Sequence, residues 1–461
     1  MRNIGGRALL AASLAIGTAA MAAGGAQAAT QAAAPGSATT LTLEEAMARA
    51  RTRSRDVTAA GARKEAAEER ARQAAGFRLP SLNASEMYFR SNDPAQSFAF
   101  QLNKNQFSFP EFVSSNPNDA PWSGTAITRF EAALPIFTGG ELSGRIAQAG
   151  SAADAAGKSA AWTADAAALA AAEAYVMVAQ AEEFAALLER ARETVKAHVA
   201  LARDYSGQGM IVRSELLRAE VELARVEDLL EDAKGKVRVA SAALAFRMGG
   251  DQGQVFPLSP LPAPRALEGN VASWVASAAS RGDLGAARDL LHAGELEKKV
   301  KSAGYLPKVA VLARYDLYGT RLFGSSGTNG SVMAVATLNL FAGGSDRAAV
   351  AAAEADLRAG REDVARFEEG IALEVRQAFE EAAAARSRFS TATRALEAAR
   401  ETERITTERF RSGVVKTLDV LDAATARREA ETRELVARAD SHTAALRLAL
   451  KSGKKPETVL P

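Results

Sequence analysis

The 461-residue sequence has no cysteine. It offers no lipid attachment point, and the lack suits an oxidising compartment in which an unpaired thiol is a liability. Histidine is nearly as rare: His198, His292 and His442 are the only three, widely spaced on predicted helices. Nucleophilic, redox or metal chemistry needs a cluster of such groups. The chain is therefore read as a non-enzyme with no metal and no cofactor, and each histidine as a helix-surface residue. A charge excess is missing too, since 57 Lys and Arg face 55 Asp and Glu and leave a net +2. Nothing in that balance draws a polyanion, and nucleic acid is set aside. Beyond the N-terminal segment no run approaches the roughly 18–20 apolar residues of a membrane-spanning helix. If the chain enters a membrane, it does so with strands. Proline, finally, is absent between Ile136 and Phe256 and again between Lys308 and Lys455, which leaves both stretches free to be helical throughout.

What is present begins with Arg2 and Arg7, an apolar run from Ala8 to Ala23, and Ala26-Gln27-Ala28. That order of basic start, apolar run and small-residue cleavage site reads as a signal peptide over 1–28, with the mature chain starting near Ala29. An N-terminal anchor is the alternative, although Ser13 and Thr18 interrupt the run. The chain then says one long thing twice. Leu134 to Gly140 recurs as Leu338 to Gly344, and Gly209 to Leu217 as Gly413 to Leu421, each 204 positions on. Gly249 and Gly453 keep the same offset. Upstream, Asp56-Val57 matches Asp283-Leu284, and Leu79-Pro80 matches Leu306-Pro307, 227 positions on. The first copy is therefore 23 residues longer, all between its Leu-Pro and Phe-x-Gly-Gly landmarks. Such duplication marks stacked or symmetric architecture.

Thr42-Leu43-Glu44-Glu45 is a capping box opening a helix expected to run to Ala75, stopped by Gly76 and Pro80. Leu82 to Phe89 and Ala126 to Ile136 read as strands. Between them lie a turn at Asn92-Asp93-Pro94 and an irregular stretch carrying Phe98, Phe100, Phe107, Phe109, Phe112 and Trp122. The second copy supplies strands at Val309 to Tyr318 and Ser331 to Leu340, joined by a flexible Gly324 to Gly330. From Gly140 to Gly207 the residues are strong helix formers. At 1.5 Å per residue such a run makes a rod of roughly 100 Å. In the return helix Leu216, Leu223, Leu230, Val237 and Leu244 recur every seventh position, with Ala219, Val226, Ala233 and Ala240 opposite, the pattern of a coiled-coil seam. The helix after Leu421 keeps that pattern poorly, interrupted by Arg428 and His442.

The expected organisation is a first repeat over 29–250, with a long loop at 90–124 and helices at 140–206 and 213–248. A Pro-rich linker at 251–268 follows, then a second repeat over 269–453, with strands at 308–318 and 331–341 and helices at 344–411 and 417–452, and a tail at 454–461. The fold class is mixed α/β: long antiparallel helical hairpins plus four strands per protomer. Strands of about 10 residues cross a bilayer when tilted. A membrane sheet tolerates no open edge, and four strands are too few to close a barrel. Several copies must then share one wall. The reading from another class is a periplasmic structural coiled-coil protein without a pore, carrying two decorative hairpins.

These residues resemble the outer membrane efflux protein family, the TolC-like channels, over essentially the whole mature chain. The resemblance is carried by Leu41-Thr42-Leu43-Glu44-Glu45-Ala46, the two Leu-Pro pairs, the Phe-x-Gly-Gly strand exits, Phe410-Arg411-Ser412-Gly413, and Asp419-Val420-Leu421-Asp422-Ala423. It implies a homotrimer whose three chains build a twelve-stranded barrel in the outer membrane and a helical tunnel across the periplasm. Export would be passive, as part of a tripartite efflux system energised by an inner-membrane pump reached through a periplasmic adaptor. Service as the duct of a type I protein secretion system is the nearer alternative. The loop 90–124 would lie outside the cell, its Phe residues sealing the top, meeting the lipid interface, or simply packing. Asp419 and Asp422 resemble the family's tunnel-end aspartates, which in a trimer form acidic rings favouring cations. The other reading is that Asp419 offsets the dipole of a helix capped by Thr417. Ser214, Glu215, Phe410 and Lys416 make up the expected gate region. Where the family pairs the acid with a tyrosine and an arginine, this chain has Phe410 and Val415, leaving Lys416, Arg411 or Arg213 as substitutes. The tips Gly209, Met210, Ile211, Val212, Gly413, Val414 and Val415 resemble the surface offered to the adaptor, and are equally the turns a helical hairpin needs. The exported substrate is set largely by the pump.

Overall fold

A computed structural model describes residues 40–114, 116, 118–412, 414–415 and 417–459. The expected signal segment 1–28, and Gly413 and Lys416 of the expected tip and gate, lie outside these residues. The first repeat runs α1 (Leu43–Arg53), α2 (Arg55–Gly76), β1 (Ser81–Ser91), α3 (Pro94–Asn103), α4 (Phe109–Ser114), β2 (Ser123–Phe137), α5 (Glu141–Gly207) and α6 (Arg213–Arg247). The second runs α7 (Val271–Ser277), α8 (Gly282–Ser302), β3 (Lys308–Gly319), β4 (Gly327–Thr337), α9 (Ser345–Arg411) and α10 (Thr417–Lys451). The duplication is kept in three dimensions to the residue: α5 and α9 each have 67 residues, α6 and α10 each 35.

Several boundaries differ from the sequence expectation. The helix opened by the Thr42/Glu45 capping box does not continue to Ala75; it breaks at Ser54, whose extended backbone (φ −57°, ψ 139°) ends α1 and whose hydroxyl accepts from Asp56 N to start α2. Arg281, 227 positions on, has the same backbone (φ −57°, ψ 136°) ahead of α8. The stretch 95–123 is not irregular throughout. Asp93 caps α3 by accepting from Gln96 N at 2.7 Å, with Pro94 in the first turn, where its missing N–H costs nothing. β4 begins at Gly327 and ends at Thr337, so Leu338 to Phe341 lie beyond it and the expected flexible link is largely strand. α10 begins at Thr417, which makes the expected cap its first helical residue.

α5 packs against α6, α8, α2, α1 and α10, and α9 against α10, α8 and α7. The principal core gathers Leu43, Ala46 and Met47 of α1, Ala168, Ala172, Tyr175, Val176 and Val178 of α5, Leu244 of α6 and Leu446 of α10. The alanines of α5 let neighbouring backbones approach closely. Tyr175 Oη lies 2.9 Å from Leu41 O and 2.7 Å from Ser259 O, tying the linker to the start of the first repeat. Its burial pushes the phenol up to about 12. Farther along, Leu187, Leu188, Leu230 and Ala233 cluster, then Val195, Val199, Ala219 and Val226. The seventh-residue pattern of α6 is therefore a seam against α5. Towards its far end α10 buries Val420, Ala423, Ala430 and Leu435, and Ala439 joins the principal core.

His442 is not a surface residue. It is 4% exposed, and its Nε2 lies 2.8 Å from Pro262 O, which can only accept, so Nε2 carries the proton and donates. It interrupts the apolar pattern because it faces the linker. His198 is half-buried and His292 exposed, and the described residues contain no group of acids and histidines able to hold a metal.

Candidate functional site

The four strands form one antiparallel sheet in the order β1-β2-β3-β4. The register sorts its residues into rows. Leu82, Ala132, Ala313 and Val332 lie opposite one another across all four strands, and so do Ala84, Phe130, Tyr315 and Gly330. These rows share one face. The alternating rows share the other: Asn83, Glu131, Arg314 and Ser331, then Ser85, Arg129, Asp316 and Asn329. In these rows the first face is apolar, with Leu82 80% and Val332 78% exposed; nearer the loops Glu86 joins it, opposite Thr128. The opposite face carries charge. There Arg129 grips Asp316 with two bonds, Nε to Oδ1 at 2.8 Å and Nη2 to Oδ2 at 3.1 Å, while Tyr318 Oη donates to Oδ2 at 3.2 Å. β1 and β4 have neighbours on one side only among the described residues, so each presents a row of unpaired N–H and C=O groups. No helix among the described residues is long and apolar enough to cross a membrane.

At the opposite end of the long helices each hairpin turns. α5 ends with Gly209 in the left-handed region (φ 73°), where a side chain is strained. Gly209 N donates to Ser206 O and Met210 N to Tyr205 O, which satisfies two otherwise orphaned carbonyls. Val414 N donates to Arg409 O at 2.9 Å, the same bond 204 positions on. The turns present apolar residues: Met210 is 65% exposed and Val212 and Val414 each 63%. Ile211 and Val415 are half-buried.

Asp419 stands in the first turn of α10 and Asp422 one turn on; both are exposed, while Val420 and Ala423 on the adjoining face are buried. The seam therefore leaves both carboxylates outside the packed interior of the protomer. Ser214 and Glu215 are exposed at the start of α6, and Phe410 is half-buried at the end of α9.

The sequence reading missed what ties the repeats together. Arg428 donates to Glu222 of α6 at 3.1 Å, Arg438 to Glu183 of α5, and Arg447 Nε to Glu173 of α5 at 2.6 Å. Three arginines on α10 thus reach three glutamates in the first repeat. The signal was their spacing along α10, with Arg428 noticed only as a break in an apolar pattern.

The family model described as outer membrane efflux protein matches residues 46–250 and 275–454. Among curated proteins none matches. A membrane protein from Pseudomonas aeruginosa has a similar structure, with a TM-score of 0.74 at 19% identity over 89% of this chain and 92% of that one. The outer membrane protein VceC from Vibrio cholerae gives 0.71 at 19% identity, over 89% of this chain and 96% of its own. The MtrE outer membrane channel of Neisseria gonorrhoeae, in its open state, gives 0.68 at 19% identity over 90% of each chain. With two repeats of strands and paired rods, and a family match spanning both, the chain belongs to the outer membrane efflux protein family, the outer-membrane channels whose helical tunnels stand in the periplasm.

Proposed function

We propose that the chain works as a homotrimer, the outer-membrane duct of a tripartite efflux system through which small molecules pass without energy input at this protein. The observation that carries this reading is the sheet: four strands, two open edges, one apolar face and one charged face. In hydrocarbon each unpaired backbone group costs several kcal/mol, so the edges need partners. Sister copies supply them, and three sheets make twelve strands, inside the known range of barrels. The apolar face meets lipid and the face with Arg129 and Asp316 lines the lumen. From the sheet, α5 and α9 extend roughly 100 Å at 1.5 Å per residue, a length suited to a periplasmic tunnel.

At the far end, Asp419 and Asp422 would form two acidic rings around the threefold axis and favour cations through their field. The apolar turns at Gly209–Val212 and Val414–Val415 would meet a periplasmic adaptor, and Gly413, outside the described residues, is proposed with them. Glu215, Ser214 and Phe410 fall in the same region and would shape its closing, together with Lys416, which lies outside the described residues. The test is conductance in planar bilayers. The trimer is expected to conduct with cation preference, and Asp419→Ala with Asp422→Ala to reduce that preference. Unchanged selectivity would remove the rings, and a protein that never conducts would remove the duct.

A further inference from the structure

The charged face of the sheet is not open along its whole length, because α3 lies across its loop end. The Phe100 ring sits 5.9 Å from Phe89 and 6.3 Å from Tyr318, both on that face. Asn329 Nδ2 donates to Asn103 Oδ1 at 2.7 Å, and Lys104 Nζ to Gly124 O at 3.5 Å. At Gly327 a Cβ would lie 2.0 Å from Asn103 O, so only glycine lets the end of α3 approach the strand this closely. Beneath the helix Ile127, Asp316 and Tyr318 are buried; one row farther from the loops Arg314 and Ser331 are exposed. Phe98, Phe107 and Phe112 pack on one another at 5.4–5.7 Å between centroids and stiffen the segment. The longer loop of the first repeat is thus folded inward.

We propose that α3 is a fixed constriction of the barrel lumen at its outer mouth, one that admits compact solutes and excludes bulky ones. The proposal rests on the reading of the charged face as the lumen, and it narrows the substrate class. Twelve strands about 4.8 Å apart and tilted about 40° enclose a cylinder about 24 Å across between backbones. A helix with its side chains is about 10–12 Å wide. Three copies of α3, one on each sheet, therefore take up most of the section. A polypeptide passing through would have to displace them, which argues against protein secretion.

The absence of native cysteine gives a direct test. Ser331→Cys places a thiol on the charged face just below the helix. A small methanethiosulfonate and a bulky polyethylene-glycol maleimide are added separately outside intact cells, to this variant and to one that also has residues 94–112 replaced by a Gly-Ser linker of equal length. The small reagent is expected to label both proteins and the bulky one only the linker variant. Bulky labelling with α3 in place, or bulky exclusion after its replacement, overturns the constriction. Failure of the small reagent on both proteins overturns instead the assignment of this face to the lumen. Should the linker variant not reach the membrane, Asn103→Cys with Asn329→Cys decides. A disulfide forming on mild oxidation in the outer membrane supports the seated helix, and its failure to form overturns it.

Discussion

His442 shows how a single side chain departs from what its neighbours in sequence suggest. Burial disfavours its charged form and lowers its pKa below the ordinary 6.5; the bond to Pro262 O opposes this, and the nearby charges of Arg438 and Arg386 add to the lowering. The sign for stability follows from which state takes the proton first. As pH falls below about 6.5 the unfolded chain protonates this histidine while the folded one does not, so stability declines until the folded pKa is reached. His442→Gln keeps a donor for Pro262 without a titrating group. Melting of the detergent-solubilised protein should drop from neutral to mildly acidic pH in the parent, with a smaller drop in the variant; equal drops would contradict the assignment. None of this was legible locally, because the partner is 180 residues away in the linker. Asp419 and Asp422 were legible as polar residues beside a turn, while what they face in an assembly depends on copies of the chain that a single sequence does not contain.

Among the elements, the turns separate backbone strain from steric conflict. Gly209 has open space where a Cβ would be, whereas at Gly249 (φ 71°) a Cβ would lie 2.1 Å from Arg53 O at the end of α1. Gly209→Ala is therefore expected to cost only the left-handed strain, about 1–2 kcal/mol. Gly249→Ala must also push α1 away, and its melting temperature should fall by clearly more. Equal losses would show that the contact with α1 gives way without resistance. The long helices were readable because their determinants are local: a proline-free run, strong helix formers, and glycines where the chain must turn. The break at Ser54 was not, since a serine inside a helix-forming stretch caps a new helix only where packing bends the chain. α3 was missed for a similar reason. Its short run of Phe, Ala, Gln and Ser has no marked preference, and it is held by Tyr318, Asn329 and Phe89 from three different strands.

At the scale of the molecule, the duplication carries nearly everything. Equal offsets located both helical hairpins and both strand pairs, and the 23-residue excess located the loop in which the first repeat is longer. The arginine ladder of α10 joins the repeats to each other, but among the described residues no strand joins β4 back to β1. That open wall is the central fact of the account, and it can be closed only from outside. Because the chain has no native thiol, cysteines can be placed in pairs, one within 82–88 on β1 and one within 330–336 on β4, and oxidised in intact outer membranes. The account predicts that a set of pairs related by one register gives covalently linked trimers, while each single cysteine gives none. Monomers throughout the scan, with both edges open to reagents, would contradict it.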